Sequence, residues 1–490
     1  MINDAMNNNG NSQQTLQEEV ERLAARTVPM HMPGHKRGLR PSDVLPYDWD
    51  ITEIEGADDL HEAGGILYEA MERAADLWGS RRTWFLVGGS TCGLLAAIRA
   101  AAPFGSEIIV ARNCHRSVFH AIELGGYKVH WIVPDQDRVY EICKAIKPEQ
   151  VAEAVKNHPG SAAVILTSPT YEGVISDIRG ISDICTEEGI PLIVDEAHGA
   201  HLGLFEEGGF PDGAVKCGAD LVVQSLHKTL PSLTQTAVLH LQGNLVGEKE
   251  IERQLGIFET SSPSYPLMIS IDSCVGLLRR EGPELFKKWG ENLDRFYKDA
   301  EIFGSIQVLN ENSRRRISKE PSVRDRSKIL ISFRNGNMKG SRAAQILRNR
   351  YGIETEMSSG MNVLAMTGPG DSEENFTRLF EALRSMDIVL CSGGEEEVKK
   401  REPLEIPKVR TACSILEAVN HPCEDTLLRE SIGRICGEYL YAYPPGIPIL
   451  APGEYITAQH LRAILRAEAD GSIVHHTHSE DRRMIACLED

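Results

Sequence analysis

A chain of 490 residues is longer than one hydrophobic core supports, so roughly two to four packed units are expected. Its 41% apolar and 25% charged residues are those of a folded globular protein and exclude collagen-like and disordered classes. The formal net charge of −19 opposes nucleic acid and anionic lipid as partners and favours cationic small molecules, although its plainer meaning is solubility.

Residues 1–14, rich in Asn and Gln, read as a disordered tail. An N-terminal segment, 15–66, then begins where Thr15 and Glu18 have the spacing of a capping box, with Leu16, Val20 and Leu23 on one helical face behind them. Over 67–290 helix-period stretches alternate with short β-branched runs at Glu107–Ala111, Lys128–Val133, Ala162–Thr167, Pro191–Val194, Asp220–Gln224 and Thr236–Leu241. That alternation predicts an α/β large domain with a mainly parallel, doubly wound sheet.

A different rhythm follows. Strands at Lys328–Phe333 and Met361–Met366 alternate with helices near Ala343–Tyr351 and Glu374–Met386, which predicts a smaller α+β domain over 291–391. The charged stretch Ser392–Pro407 opens a C-terminal domain, 392–490, whose end from Ser472 onward is polar enough to be loosely held. Eleven cysteines without a C-x-x-C pair suit reduced thiols, and no apolar run approaches the eighteen or so residues of a membrane span, so the expected location is the cytoplasm.

The segment ADLVVQSLHKTLPSLTQTAVLHLQG (219–243) carries the most chemistry, because an apolar strand runs into Ser225, His227 and Lys228. Alone, Lys228 could be a surface cation snorkelling from a strand end. A second buried-strand pattern, PLIVDEAH (191–198), ends in Asp195 and Glu196, at the edge where open α/β sheets bind ligands. A pyridoxal-phosphate site needs an amine to bind the cofactor and an acid to keep its ring nitrogen protonated; Lys228 and Asp195 supply that pair.

GGSTCG (88–93) precedes an apolar helix, so backbone N–H groups with Ser90 and Thr91 could cradle a phosphate; the plain alternative is a Gly-rich turn with Ser90 or Thr91 as helix cap. In RNCHRSV (112–118) His115 could stack on a cofactor ring and offer an N–H, or be an ordinary loop histidine. No metal is expected: Pro33 and Gly34 spoil the spacing of His31 and His35, and VHHTHS (474–479) reads as a terminal polar stretch.

The ordered series MHMPGHKRG (30–38), DDLH (58–61), VGGSTCG (87–93), RNCHRSVFHA (112–121), TSPTYEG (167–173), VDEAHGAH (194–201), QSLHKTLPSLTQT (224–236) and YPPGIPILAPGE (443–454) resembles the bacterial ornithine/lysine/arginine decarboxylase family. The resemblance covers nearly everything after about residue 20. It is to the short form, without the N-terminal wing domain, and departs at Gly89 and Cys436 without removing a group the chemistry needs.

The resemblance implies an aspartate-aminotransferase-like fold and pyridoxal 5'-phosphate as cofactor. Lys228 would carry it, Asp195 would meet its ring nitrogen, His115 would lie over the ring, and Ser90, Thr91, Ser225 and His227 would surround its phosphate. His198 would lie near the ring substituents, and Glu454 near the substrate's cationic end, unless it merely favours the dipole of the helix after it. TSSPSY (260–265) would reach a neighbouring subunit, which implies a homodimer or higher homo-oligomer with shared sites.

The implied reaction converts arginine or lysine, ahead of ornithine, to the amine and CO2 within polyamine metabolism, with Lys228 or His227 returning a proton to Cα. An aminotransferase or carbon–carbon lyase on the same fold, or a catalytically silent cofactor-binding homologue, are the competing readings.

Overall fold

The computed structural model describes residues 15–489 apart from 27–28, 31, 34–35, 38–40, 138, 311–322, 393–406 and 444–445. The expected tail, His31 and His35, and residues 393–406 of the charged stretch Ser392–Pro407 lie outside the described residues. Helix α1 (Leu16–Arg26) opens with the anticipated box: the Thr15 amide donates to Glu18 Oε2 at 2.9 Å and the Glu18 amide to Thr15 Oγ1 at 3.3 Å. Leu16, Val20 and Leu23 are its buried face.

The large domain runs α2 (Ile66–Trp78), β1 (Arg82–Leu86), α3 (Gly89–Ala101), β2 (Glu107–Ala111), α4 (Arg116–Gly125), β3 (Lys128–Ile132), the small hairpin β4 (Gln136–Asp137) and β5 (Ile142–Cys143), α5 (Pro148–Asn157), β6 (Val164–Thr167), α6 (Ile178–Glu187), β7 (Leu192–Asp195), β8 (Leu221–Ser225), α7 (Leu226–Thr229), β9 (Ala237–Leu241), α8 (Glu248–Phe258) and α9 (Tyr265–Asp299). Seven strands form one sheet in the order β1-β9-β8-β7-β6-β2-β3, in which β9 alone runs antiparallel to its neighbours.

Strand side chains alternate between two cores. Ile108, Val110, Ile165, Ile193, Leu221 and Val223 face one apolar cluster, while Ile109, Ala111, Leu166, Val194 and Val222 face the other. Burial on both faces is why these strands are continuous apolar runs in the sequence. It also leaves the carboxyl edge of the sheet as the place where polar groups can sit.

The smaller domain is an antiparallel sheet of β10 (Gln307–Val308), β11 (Lys328–Ser332), β13 (Asn362–Met366) and β12 (Met357–Ser359), in that order, with α10 (Gly340–Tyr351) and α11 (Glu373–Cys391). The C-terminal region adds α12 (Ile415–Val419), β14 (Cys423–Leu427), β15 (Leu440–Tyr443), β16 (Ile447–Leu450), α13 (Ala458–Ala469), β17 (Ile473–His476) and β18 (Met484–Leu488) around its own apolar cluster.

Three expectations need correction. The five residues of β1 are a strand that the apolar pattern did not single out, because its first residue is a charged Arg82, buried against Tyr68 and bonded to Glu72 at 2.8 Å. The boundary placed at 290/291 falls inside α9, a 35-residue helix whose Trp289 donates to Thr367 of the smaller domain at 2.9 Å. Finally, the expected loosely held stretch from Ser472 is ordered as far as it is described, to residue 489: β17 pairs with β15, β18 pairs with β14, and Val474, Ile485, Ala486 and Cys487 are buried.

Candidate active site

The parallel strands deliver the chemistry-bearing residues to one edge of the sheet. Asp195 is the last residue of β7 and lies across from Val223 of β8; two residues beyond Val223 that strand ends at Ser225 and turns into the single-turn helix α7, which carries His227 and Lys228. His115 caps α4 after β2, and Gly88–Thr91 open α3 after β1.

Lys228 Nζ lies 3.0 Å from His198 Nε2, in the turn after β7. Burial pushes the Lys228 amine below its ordinary value; Asp195 and Glu356 act against that, and Lys328 adds to it. Burial likewise raises the Asp195 carboxyl, opposed by the Lys228 charge and by the Ala197 amide, which donates to Asp195 Oδ1 at 3.2 Å. His198 is held well below the usual imidazole range by burial and then by the two lysine charges. The resulting group is a depressed amine facing a neutral imidazole, with a dry carboxylate at the next strand end.

His115 is neutral too: burial, followed by the Lys228 and Arg116 charges, pushes it down to about 4. Its Nδ1 accepts from the Ser117 amide at 3.3 Å, so the ring proton sits on Nε2 and an N–H is left to offer. His227 is fixed the other way round. Its Nδ1 lies 3.0 Å from the Thr236 carbonyl, which can only accept, so Nδ1 holds the proton and Nε2 keeps a lone pair.

Ser90 and Thr91 occupy the first turn of α3, but neither caps it: the cap position is Gly88 and makes no side-chain bond, while Gly89 takes φ +73. The Val87 and Gly88 amides instead donate to Glu259 Oε1 at 2.6 and 3.0 Å. Glu259 immediately precedes TSSPSY, so it ties that loop to the Gly-rich turn. His61 of DDLH meets the Thr260 carbonyl at 2.9 Å, and the Tyr265 hydroxyl donates to the Ala57 and Asp58 carbonyls. Three motifs far apart in the chain therefore pack as one unit.

Glu454 is placed differently from the expectation. It is 1% exposed, lies 3.2 Å from Arg112 Nη2 and accepts from the Ala451 amide at 3.1 Å. Nor does it cap α13, whose cap is Thr457 in a reciprocal pair with His460. Arg112 also stands over the Phe119 and Trp131 rings and donates to the Pro448 carbonyl at 2.7 Å. A carboxylate buried against its own arginine joins the C-terminal region to the loop that bears His115, and is not open to a substrate cation.

The sequence reading missed a second layer. Lys328, fully buried, donates to Asp325 Oδ2 at 2.9 Å and to the His198 carbonyl at 3.0 Å, and Asp325 Oδ1 meets His201 Nε2 at 3.1 Å. The ring of Tyr171, within TSPTYEG, lies 4.3 Å from that of His198, and its hydroxyl donates to Glu356 of the smaller domain. No one-chain pattern marks Lys328, which begins an ordinary apolar strand; Tyr171 stood inside a matched motif but had no assigned role.

Pyridoxal phosphate fits the residues present. The Ser225 hydroxyl and His198 Nδ1 are buried without a hydrogen-bond partner among the described residues, a rare condition for native polar groups and one that oxygens of a bound cofactor relieve. Lys228, for its part, makes no ion pair with any described carboxylate.

Residues 23–375 match the family described as Orn/Lys/Arg decarboxylase, major domain, and residues 398–470 its C-terminal domain. Among curated proteins the chain is 31% identical to the arginine decarboxylase of Bacillus subtilis (strain 168) over 453 residues, 90% of each chain. It is 21% identical to the constitutive lysine decarboxylase of Escherichia coli (strain K12), covering 90% of this chain and 74% of that one. Among solved structures, the lysine decarboxylase of Francisella novicida superposes with a TM-score of 0.80 over 97% of this chain and 81% of its own, at 17% identity. An alanine–glyoxylate aminotransferase from Nostoc sp. matches 65% of this chain and 85% of its own with a TM-score of 0.51 at 17% identity, a likeness of fold alone.

Proposed function

The chain belongs to the Orn/Lys/Arg decarboxylase family and is a decarboxylase of a basic amino acid, and from that premise we propose that its substrate is arginine and its cofactor pyridoxal phosphate carried by Lys228. The observation that carries the choice of arginine is the likeness itself: relatives named arginine decarboxylase reach 30–31% identity over about nine-tenths of this chain, against 21–22% for those named lysine decarboxylase.

In this reading Asp195 holds the cofactor's ring nitrogen protonated, His115 faces the ring with its Nε2–H, and Ser90, Thr91, Ser225 and His227 receive the phosphate. When bound, the cofactor supplies a sink for the electron pair left at Cα as CO2 departs. The chain's own work is acid–base and electrostatic. Burial keeps Asp195 out of water, where its charge acts most strongly on a neighbouring cation. Lys228 Nζ returns a proton to Cα, as does His227 once its Nε2 has taken one up, and His198 Nε2, 3.0 Å from the amine, accepts a hydrogen bond from it.

Glu454 acts through Arg112, positioning the loop that carries His115. The TSSPSY loop, fastened by Glu259 and His61, serves a neighbouring subunit, so the working form is a homodimer or a larger homo-oligomer. Eleven unpaired cysteines suit the reducing cytoplasm, where we place the reaction within polyamine metabolism.

The test is the visible absorption of protein mixed with pyridoxal phosphate, followed by CO2 release from arginine, lysine and ornithine separately. A band and fastest release from arginine, both lost in Lys228→Ala, is the expected result. Fastest release from lysine overturns the substrate, a band without CO2 overturns the decarboxylase, and no band overturns the cofactor.

A further inference from the structure

Two carboxylates act on the Lys228 amine, and they differ in kind. Asp195 is 3% exposed at a strand end, whereas Glu356 is exposed, on the smaller domain, just ahead of β12. Glu356 connects to the amine through an unbroken set of contacts: Tyr171 donates to a Glu356 oxygen, the Tyr171 ring packs on His198 at 4.3 Å, and His198 meets Lys228 at 3.0 Å. The tyrosine hydroxyl is therefore not merely a surface group. It fixes the carboxylate and leaves the second oxygen without a hydrogen bond among the described residues.

The other acids near the amine are spent. Asp325 is fully buried against Lys328 and His201; Glu172 accepts from Thr170; Glu196 accepts from Gln224 at 2.7 Å and the Ala214 amide at 2.8 Å; Glu454 is held by Arg112. A basic amino acid brings a second cation several ångströms from its reacting carbon, and leaving that cation unpaired beside Lys228 would be repulsive. It needs an accessible, oriented anion.

We propose that Glu356, oriented by Tyr171, is the acceptor for the distal guanidinium or ammonium of the substrate. This rests on the functional reading above and assigns to the smaller domain the recognition of the side chain, while the large domain's strand ends hold the α-carbon chemistry. A planar guanidinium can donate one N–H to the open oxygen of Glu356 and spread the rest of its charge over the Tyr171 ring, a geometry that an ammonium matches less well.

The experiment uses the holoenzyme and three variants, Glu356→Gln, Glu356→Asp and Tyr171→Phe. KM and kcat for arginine, calorimetric binding of its amine product agmatine, and turnover of citrulline, which keeps the length but lacks the charge, are measured. Loss of a charge-assisted hydrogen bond corresponds to about a 10- to 100-fold rise in KM for arginine and in Kd for agmatine in Glu356→Gln. The visible band stays in place, kcat changes little, and the slow turnover of citrulline is unaffected.

Tyr171→Phe shows a smaller rise, and Glu356→Asp recovers part of the loss because the charge remains. Unchanged KM and agmatine binding in Glu356→Gln overturn the assignment, as does a fall in kcat at constant KM, or an equal loss with citrulline. A wild-type protein with no band, or with no CO2 from any basic amino acid, overturns the functional reading first; agmatine binding still reads Glu356 separately.

Discussion

Two lysines meet the same histidine, and they differ in what holds them. Lys328 is 0% exposed and gives its ammonium three acceptors: Asp325 Oδ2 at 2.9 Å, the His198 carbonyl at 3.0 Å and Ser327 Oγ at 3.2 Å. Lys228 touches His198 through the ring nitrogen instead, and its influential acids, Asp195 and Glu356, act on it without an ion-pair contact. An ammonium with three acceptors is fixed in place. An amine that is dried but left unpaired gives up its proton more easily and becomes nucleophilic. Burial alone does not distinguish a reactive lysine; the set of acceptors does.

Replacing each lysine by methionine breaks the comparison most directly. Lys228→Met is expected to abolish CO2 release, a loss of about a thousandfold or more, while thermal unfolding is unchanged or slightly raised because a poorly paired amine has been removed. Lys328→Met leaves Asp325 buried with only His201 and Ser327, and is expected to lower the unfolding free energy by about 3–5 kcal/mol. Denaturant titration of both proteins with turnover assays checks this; equal stability losses would make the two lysines equivalent. Restoring an apolar pair with Lys328→Met and Asp325→Leu together should recover most of the loss.

The ion pair of the C-terminal region belongs with Lys328. Glu454 and Arg112 are buried and paired at 3.2 Å, and Arg112 leads into the loop bearing His115. Glu454→Gln keeps a hydrogen-bonding side chain but removes the charge, so the expected cost is about 1.5–3 kcal/mol, read as a lower melting temperature. If Glu454 received the substrate cation, KM for arginine would instead rise with stability untouched.

Much of this contrast is invisible in the sequence. The strand ends were legible because a sheet buried on both faces forces polar residues to its edge, so Asp195, Ser225, His227 and Lys228 stand out after apolar runs. Thr15 and Glu18 were legible because a capping box is a local, three-residue signal. Glu454 was misjudged because its partner, Arg112, lies 342 positions away, and a lone carboxylate in a Pro/Gly-rich stretch carries no sign of that pairing. Lys328 and Glu356 were missed for the same reason: they reach the site from another domain, and only the meeting of TSPTYEG with residues 324–328 brings them in. That joint is close-packed, for a Cβ on Gly173, at φ +88, would fall 2.9 Å from Lys328 Cβ. The terminal strands were missed because a short alternation such as Ile473–His476 resembles a polar tail until its partner β15 is known.

The finest consequence concerns the proton on Lys228, and its sign can be worked out. Only the neutral amine condenses with an aldehyde, so the rate at which cofactor-free protein captures pyridoxal phosphate should rise with pH and level off above the lysine's pKa, which burial places below the ordinary 10.5. Asp195 and Glu356 stabilise the protonated amine, so removing either charge lowers that pKa further. Glu356→Gln should therefore move the capture profile to lower pH, and Asp195→Asn farther in the same direction. Lys328 acts oppositely: its charge already depresses Lys228, so Lys328→Met should move the profile to higher pH, provided the measurement is made where that variant is still folded. Growth of the visible band after mixing, followed from pH 6 to 10.5, reads all three. A Glu356→Gln profile that coincides with wild type would show that the carboxylate's charge does not reach the amine, and would reduce the division of labour between the two acids to Asp195 alone.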